Sequence, residues 1–232
     1  MKPCQNQDGI FITFEGPDGA GKTTQAQMLK ERLLGCGLEA VVTREPGGTA
    51  ISEEIRKVLL NPQYAEMTVT CEVLLYSAAR AQLVAEVIKP ALETGRVIIC
   101  DRFFDSSTVY QGYAGAENPE MIKMINMWAT GGVIPDMTLL MNIEAEAGLE
   151  RLGKKSENSP SFGDRMEQKA LAFHRRVQEG FLKLARQEPG RFRLIDAAEN
   201  VHVIHDTIWT FVWQMIQERS LITRAGGDSS GV

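Results

Sequence analysis

Gly16-Pro17-Asp18-Gly19-Ala20-Gly21-Lys22-Thr23 follows the apolar run Ile10-Phe11-Ile12-Thr13-Phe14 and opens a helical pattern from Thr24 to Leu34. The order strand, glycine-rich turn, helix fits G-x-x-x-x-G-K-[ST], whose backbone N–H groups converge on the oxygens of a polyphosphate. The glycines let the chain turn tightly, and the helix adds the positive end of its dipole. Lys22 brings a charge to the β- and γ-phosphates, and the Thr23 hydroxyl can ligate Mg²⁺. A chance glycine-rich turn would not sit between a buried strand and a helix start. The motif predicts a nucleoside triphosphate but no particular reaction, because switches, ATPases and small-molecule kinases share this cradle.

Further strand candidates are Ala40–Thr43, Val97–Cys100 ending at Asp101, Met137–Ile143 and Phe192–Ile195. Helical patterns run over 51–60, 72–92, from about Ser106 with Asp105 as N-cap, 120–129, 165–187 and 201–218. Residues 151–163 are polar, with glycine, serine and proline, and read as a mobile loop. Strands alternating with helices predict an α/β fold with a parallel sheet covered on both faces. Ligands of such sheets bind at the carboxyl ends of the strands. The expected organisation is one domain over residues 9–218, a lid at about 151–165, and flexible tails at 1–8 and 224–232.

The chain of 232 residues is long enough for a proper core, and its 44% hydrophobic and 24% charged content is that of a soluble globular protein. A formal net charge of -5 makes a nucleic-acid partner a poor expectation. No run is long and apolar enough for a membrane span, and residues 1–9 have no apolar stretch of a signal peptide. Cys4, Cys36, Cys71 and Cys100 form no C-x-x-C pair and read as free thiols in a reducing compartment, so the expected location is cytoplasmic.

Asp101-Arg102 closes the third strand candidate, where an aspartate can hold the water shell of Mg²⁺ and an arginine can clamp phosphates; a surface ion pair is the plainer alternative. Downstream, Ser106 and Tyr110 are four apart, as are Ser107 and Gln111, so each pair shares a helix face. A hydroxyl, a phenol and an amide there suit a sugar and a base edge, though a solvated helix face would read alike. Tyr76 and Arg80 are a further pair at that spacing: a ring to stack on a base and a cation for a phosphate or carbonyl, or else a core tyrosine and a surface arginine. Arg44 and Glu45-Pro46 lie in a rigid Pro-Gly-Gly loop beside the cradle. Arg151, Lys154, Lys155 and Arg165 bracket the polar loop, and a basic lid of that kind would neutralise charge on a moving phosphoryl group and exclude water.

Together these residues resemble the thymidylate kinases of bacteria. The resemblance is carried by FITFEGPDGAGKTT, TREPGGT, LLYSAARAQLV with its following IKPAL, DRFFDSSTVYQG, PDMTLLMNI, Gly163-Asp164-Arg165-Met166-Glu167 and Ile195-Asp196-Ala197, in order from about residue 9 to about residue 215. It implies a P-loop NTPase fold with a five-stranded parallel sheet of order 2-3-1-4-5, usually as a homodimer. It implies ATP held by Gly16, Pro17, Asp18, Gly19, Ala20, Gly21, Lys22, Thr23 and Thr24, with Mg²⁺ at Thr23 and Asp101. It implies dTMP held by Asp18, Glu45, Pro46, Tyr76, Arg80, Arg102, Ser106, Ser107, Tyr110 and Gln111, with Tyr76 stacked on thymine and Arg80 and Gln111 on the base edge. Lys22, Arg102, Asp101 and the lid cations Arg151 and Arg165 would be catalytic. The lid departs from the family pattern: Gly153-Lys154-Lys155-Ser156-Glu157-Asn158-Ser159-Pro160 stands where arginine-glycine pairs are common, and lysine is a point charge rather than a fork.

The expected reaction is direct in-line transfer from ATP to dTMP, without a covalent intermediate. The acceptor oxygen is already anionic, so alignment and charge neutralisation carry catalysis. Kinases of dUMP, UMP or another nucleoside monophosphate are the nearest alternatives. A regulatory P-loop switch is the alternative of another class, and it would usually carry N-K-x-D, which is absent here.

Overall fold

The computed structural model describes residues 9–115, 117–156, 165–167 and 169–227, and the side chains among them except those of 154–156 and 220–227. Five parallel strands form one sheet: β1 (Ile10–Glu15), β2 (Ala40–Arg44), β3 (Val97–Asp101), β4 (Met137–Asn142) and β5 (Phe192–Asp196), in the order β2-β3-β1-β4-β5. β1 is central, paired with β3 from Ile10 opposite Val97 and with β4 from Ile12 opposite Met137. The strand is buried along its whole length, which is why it reads as continuous apolar sequence.

Alternation along the strands divides the core. Ile12, Phe14, Ile99, Leu139 and Met141 face one side, against Leu29 and Leu33 of α1 (Lys22–Gly35) and Ile208 and Val212 of α9 (Val201–Gly227). Phe11, Ile98 and Cys100 face the other, against Leu83 of α3 (Val69–Leu83) and Ile88. Each fully buried side chain of this kind contributes roughly 1.5–3 kcal/mol. α2 (Ala50–Leu60) packs on α3, which also packs on α6 (Pro119–Thr130). Among the described residues no helix is long and apolar enough to cross a membrane.

α1 ends as its glycines predict. Gly37 takes φ 77°, and Leu38 N–H closes back on the Leu33 carbonyl at 3.0 Å. The helical stretch expected over 72–92 is α3, a wider π-type turn at Val84–Ile88, and α4 (Lys89–Glu93). Pro90 explains the widening: it lacks an N–H, and its ring crowds the carbonyl four residues earlier, inside that turn.

Several expectations are corrected. Asp105 is not an N-cap; it lies inside α5 (Phe104–Ser107), and a π-type turn, Thr108–Tyr113, follows. Its carboxylate accepts from Arg191 at 2.6 and 2.9 Å. The helix start is capped from another strand: Glu15 accepts from Phe103 N–H at 2.7 Å and Ser106 N–H at 3.2 Å. The polar segment does not become a loop at residue 151. α7 (Ala145–Ser156) continues through it, because Glu, Leu, Arg and Lys are good helix formers and outweigh Gly153. Residues 157–164 of the expected lid lie outside the described residues. The helix expected from Arg165 is a turn at first; α8 (Leu171–Gln187) begins six residues later, because Arg165 N–H is taken by the Leu60 carbonyl. α9 runs on to Gly227, past the expected end at 218 and into the expected tail; residues 1–8 and 228–232 lie outside the described residues.

The Asp105–Arg191 pair is buried, with side-chain exposures of 1% and 10%, and Arg191 also donates to Thr138 of β4 at 2.6 Å. Asp105→Ala would leave the Arg191 guanidinium with Thr138 and the more exposed Glu188 carboxylate, 2.7 Å away, as its partners. We expect urea unfolding to show a loss of about 2 kcal/mol, and a loss below about 1 kcal/mol would show that the Asp105–Arg191 pair does not anchor α5.

Candidate active site

A cavity of about 460 Å³ opens at the carboxyl ends of the strands. Its floor is the turn between β1 and α1. Gly16 has φ 132°, and a Cβ there would stand 2.3 Å from the Met141 carbonyl oxygen. Gly19 has φ 75°, and a Cβ there would stand 2.1 Å from the Gly148 carbonyl oxygen of α7. Neither position admits a side chain, so the turn seats backbone to backbone on its neighbours. Lys22 is buried and folds back over the turn, donating to the Gly16 and Pro17 carbonyls at 3.1 and 2.7 Å. Burial, with Arg102 nearby, brings its ammonium down to about 8, against the opposing pull of Asp18, Asp101 and Glu15. The Thr23 hydroxyl donates to the Asp101 carboxylate, so the two oxygens meet at the mouth of the cradle.

Arg102 spans the middle. It is the one non-glycine residue with positive φ among those described, at 67°. That conformation costs on the order of 1–3 kcal/mol and is held by its surroundings. Its backbone N–H donates to Phe14 O at 2.9 Å, its guanidinium donates to Gly16 O at 3.0 Å, to Ser106 Oγ at 3.2 Å and to the Asp18 carboxylate, and it lies 5.2 Å over the Tyr110 ring. Tyr110 donates to the other Asp18 oxygen at 2.8 Å. Burial works against the Asp18 charge, but Arg102 and Lys22 outweigh it and hold the carboxyl below its usual range. Glu15 accepts from Ser106 Oγ at 2.6 Å, while burial and the nearby Asp105 push its carboxyl up to about 8.

The far end is built on Arg80, which is 1% exposed. It donates to Glu45 at 2.8 Å, Asn126 at 2.7 Å and Ser107 Oγ at 2.9 Å. Glu45 follows β2, and its second carboxylate oxygen is buried without a hydrogen-bond partner; burial raises its carboxyl to about 7 although Arg80 pulls it down. Tyr76, one helical turn before Arg80, lines the cavity with Pro46, Ser107 and Gln111. The helix pairs expected from spacing therefore divide the site. Ser106 and Tyr110 face Arg102 and Asp18, while Ser107 and Gln111 face Arg80 and Glu72.

Seventeen of the expected site residues thus meet in one space: Asp18, Gly19, Gly21, Lys22, Thr23, Thr24, Glu45, Pro46, Tyr76, Arg80, Asp101, Arg102, Ser106, Ser107, Tyr110, Gln111 and Arg151 all line it. Arg151, on α7, also donates to the Ala197 carbonyl at 2.9 Å. Gly16, Pro17 and Ala20 shape the turn without lining the cavity. Arg165 does not line it either; it is buried, with its guanidinium on Glu72 and on the Leu59 carbonyl at 3.1 Å. Lys154 and Lys155 lie on α7, and their side chains are outside the described ones. Arg44 lines the cavity but is paired with Glu53 at 2.8 Å. Sequence reasoning passed over Glu15, Glu72, Asn126 and Arg56. Only Glu15 left a signal, as a charge ending an otherwise apolar strand.

A family model described as thymidylate kinase matches residues 14–208. The chain is 48% identical over 197 residues to a thymidylate kinase of Pelotomaculum thermopropionicum, an alignment covering 85% of this chain and 89% of that one. It is 44% identical over 210 residues to a thymidylate kinase of an Exiguobacterium species, covering 90% and 97%. The solved structure of thymidylate kinase from Ehrlichia chaffeensis superposes with a TM-score of 0.71 at 30% identity, covering 89% of this chain and 99% of that one. The matched residues include the whole cavity, β2 to β5 and the end of β1, and the chain belongs to the thymidylate kinase family.

Proposed function

We propose that the protein phosphorylates dTMP to dTDP with ATP, by direct in-line transfer, as a step toward dTTP. The observation that carries this reading is one cavity with two chemically distinct ends, a glycine-rich cradle and a rigid polar pocket, bridged by Arg102. In this reading the cradle amides from Gly16 to Thr24 and Lys22 hold the ATP phosphates. Arg102 sits where donor and acceptor phosphates meet and offsets their repulsion. Tyr76 packs on the base, Arg80 and Gln111 meet its edge, and Asp18, Ser106 and Tyr110 frame the sugar side. Glu45, held by Arg80, and Pro46 wall the acceptor end. Arg151 supplies a cation from α7, and residues 151–165 act as the lid of one kinase domain over 9–218. Arg165 joins the catalytic cations only by leaving Glu72.

The donor set at Thr23 and Asp101 is a hydroxyl and a carboxylate, hard oxygens of the kind Mg²⁺ takes alongside phosphate oxygens. Mg²⁺ held there would neutralise charge on the β- and γ-phosphates. A cytoplasmic location accords with Cys36, Cys71 and Cys100 being free thiols.

A homodimer is the assembly the surface favours. Met121, Met124 and Trp128 line one face of α6 at exposures of 50%, 67% and 86%, and Leu74 of the adjacent α3 is 57% exposed. Apolar faces of this kind mark interfaces.

Three measurements test the proposal. ADP formation from ATP·Mg²⁺ with each nucleoside monophosphate in turn should be strongest with dTMP. Another preferred acceptor would leave the fold and mechanism but overturn the base pocket, and no acceptor dependence would point to a switch. The value of kcat/KM for ATP reports the free enzyme, and Lys22 is charged below about 8 and neutral above it. That value should fall as pH rises through this point, and the fall should vanish in Lys22→Arg, whose guanidinium stays charged; a profile flat across it would show that Lys22 keeps its charge there. Finally, Trp128→Glu should convert a dimer to a monomer in sedimentation, and a wild-type monomer would overturn the assembly.

A further inference from the structure

Glu72 stands behind the base end of the cavity and not in its wall. It lies on α3, one turn before Tyr76, and is 2% exposed. Gln111 Nε2 donates to Glu72 Oε2 at 3.0 Å. Arg165 donates to Oε1, and Lys169 Nζ stands 3.9 Å from that same oxygen. Both carboxylate oxygens act as acceptors.

A terminal amide has two chemically opposite ends, an NH₂ that donates and a carbonyl that accepts. Their shapes are nearly the same, so only a neighbour can decide which end points where. A carboxylate accepts and cannot accept from a carbonyl, so Glu72 takes the NH₂ end of Gln111. The carbonyl is the end left for the cavity that Gln111 lines. Pyrimidine rings differ at the matching position. Thymine and uracil carry a hydrogen on N3 and donate there, whereas cytosine has a bare N3 and accepts.

We infer that Glu72 is a specificity-determining positioning residue, which fixes Gln111 as an acceptor toward the cavity and so selects N3–H pyrimidines over cytosine. The inference rests on the reading of Gln111 as a base-facing residue. By the same reading Arg80, which has only donors, offers nothing to the cytosine amino group. Freeing Gln111 therefore erodes selectivity without reversing it.

The test uses the full chain with ATP·Mg²⁺ and either dTMP or dCMP. Glu72→Gln keeps the shape and lets the two amides pair in either sense. The ratio of kcat/KM for dTMP over dCMP should fall about tenfold, one hydrogen bond's worth. The change should lie mainly in a lower KM for dCMP, whose bare N3 gains a donor, with the KM for ATP unchanged. A merely structural Glu72 would lower the unfolding temperature and slow both acceptors alike; an unchanged ratio overturns the inference. Should Glu72→Gln fail to fold because Arg165 loses its carboxylate, Gln111→Met leaves that pair intact and carries the test. A raised KM for dTMP with a lowered ratio supports selection by the amide. A raised KM with the ratio preserved overturns the inference while the base pocket stands. An unchanged KM for dTMP overturns the reading of Gln111 itself.

Discussion

A guanidinium wedged between the glycine-rich turn after β1 and the polar pocket around Arg80 governs the architecture of this site. Arg102 emerges from β3 in a backbone conformation that L-residues avoid. It stays there because the Phe14 and Gly16 carbonyls, Ser106 and Asp18 hold it on several sides. Those contacts also make it the joint between β1, β3, the turn after β1 and α5. An arginine on a free loop would have to be ordered at each turnover. Here the ordering is done on folding, which is how a site reduces its reorganisation during reaction.

The far end of the cavity follows the same logic with other groups. Arg80, Glu45, Asn126 and Ser107 form a buried polar cluster with almost no solvent exposure. Burying these charges is costly unless partners are close and well aligned. The cluster therefore trades stability for definition, giving a pocket whose donors stand in fixed directions. Glu15 plays the corresponding part nearer the cradle, where a carboxyl group from the central strand receives the first amides of a helix from elsewhere in the chain.

The sheet was legible in the sequence because β1, β3 and β4 are buried on both faces and so read as unbroken apolar runs, and because the cradle motif sits where the mechanism needs it. Most of the cavity lining was legible too: four-residue spacing paired Ser106 with Tyr110 toward Asp18 and Arg102, and Ser107 with Gln111 toward Arg80 and Glu72. What escaped was non-local. Asp105 looks like a cap from its neighbours, yet its partner is Arg191, and the cap is Glu15; neither fact can be read from local pattern. Arg165 flanks the polar segment and is held by Glu72, a partner distant in sequence that no local pattern announces. The boundary at 151–156 failed because good helix formers outweigh Gly153, and the one at 165 because a single long-range backbone hydrogen bond takes the Arg165 N–H.

The contact between Gly19 and Gly148 has an evolutionary consequence. Each lies where a side-chain carbon would fall inside the other segment's backbone: 2.1 Å from the Gly148 oxygen in one case, 2.4 Å from the Asp18 oxygen in the other. Relaxing one position does not free the other, since each is blocked by main chain that every residue type shares. Drift at either site is thus closed off by geometry, and no compensating substitution at the partner can reopen it. The two glycines act as one constraint written at two distant places, and they bind the inheritance of the turn after β1 to that of the helix beside it.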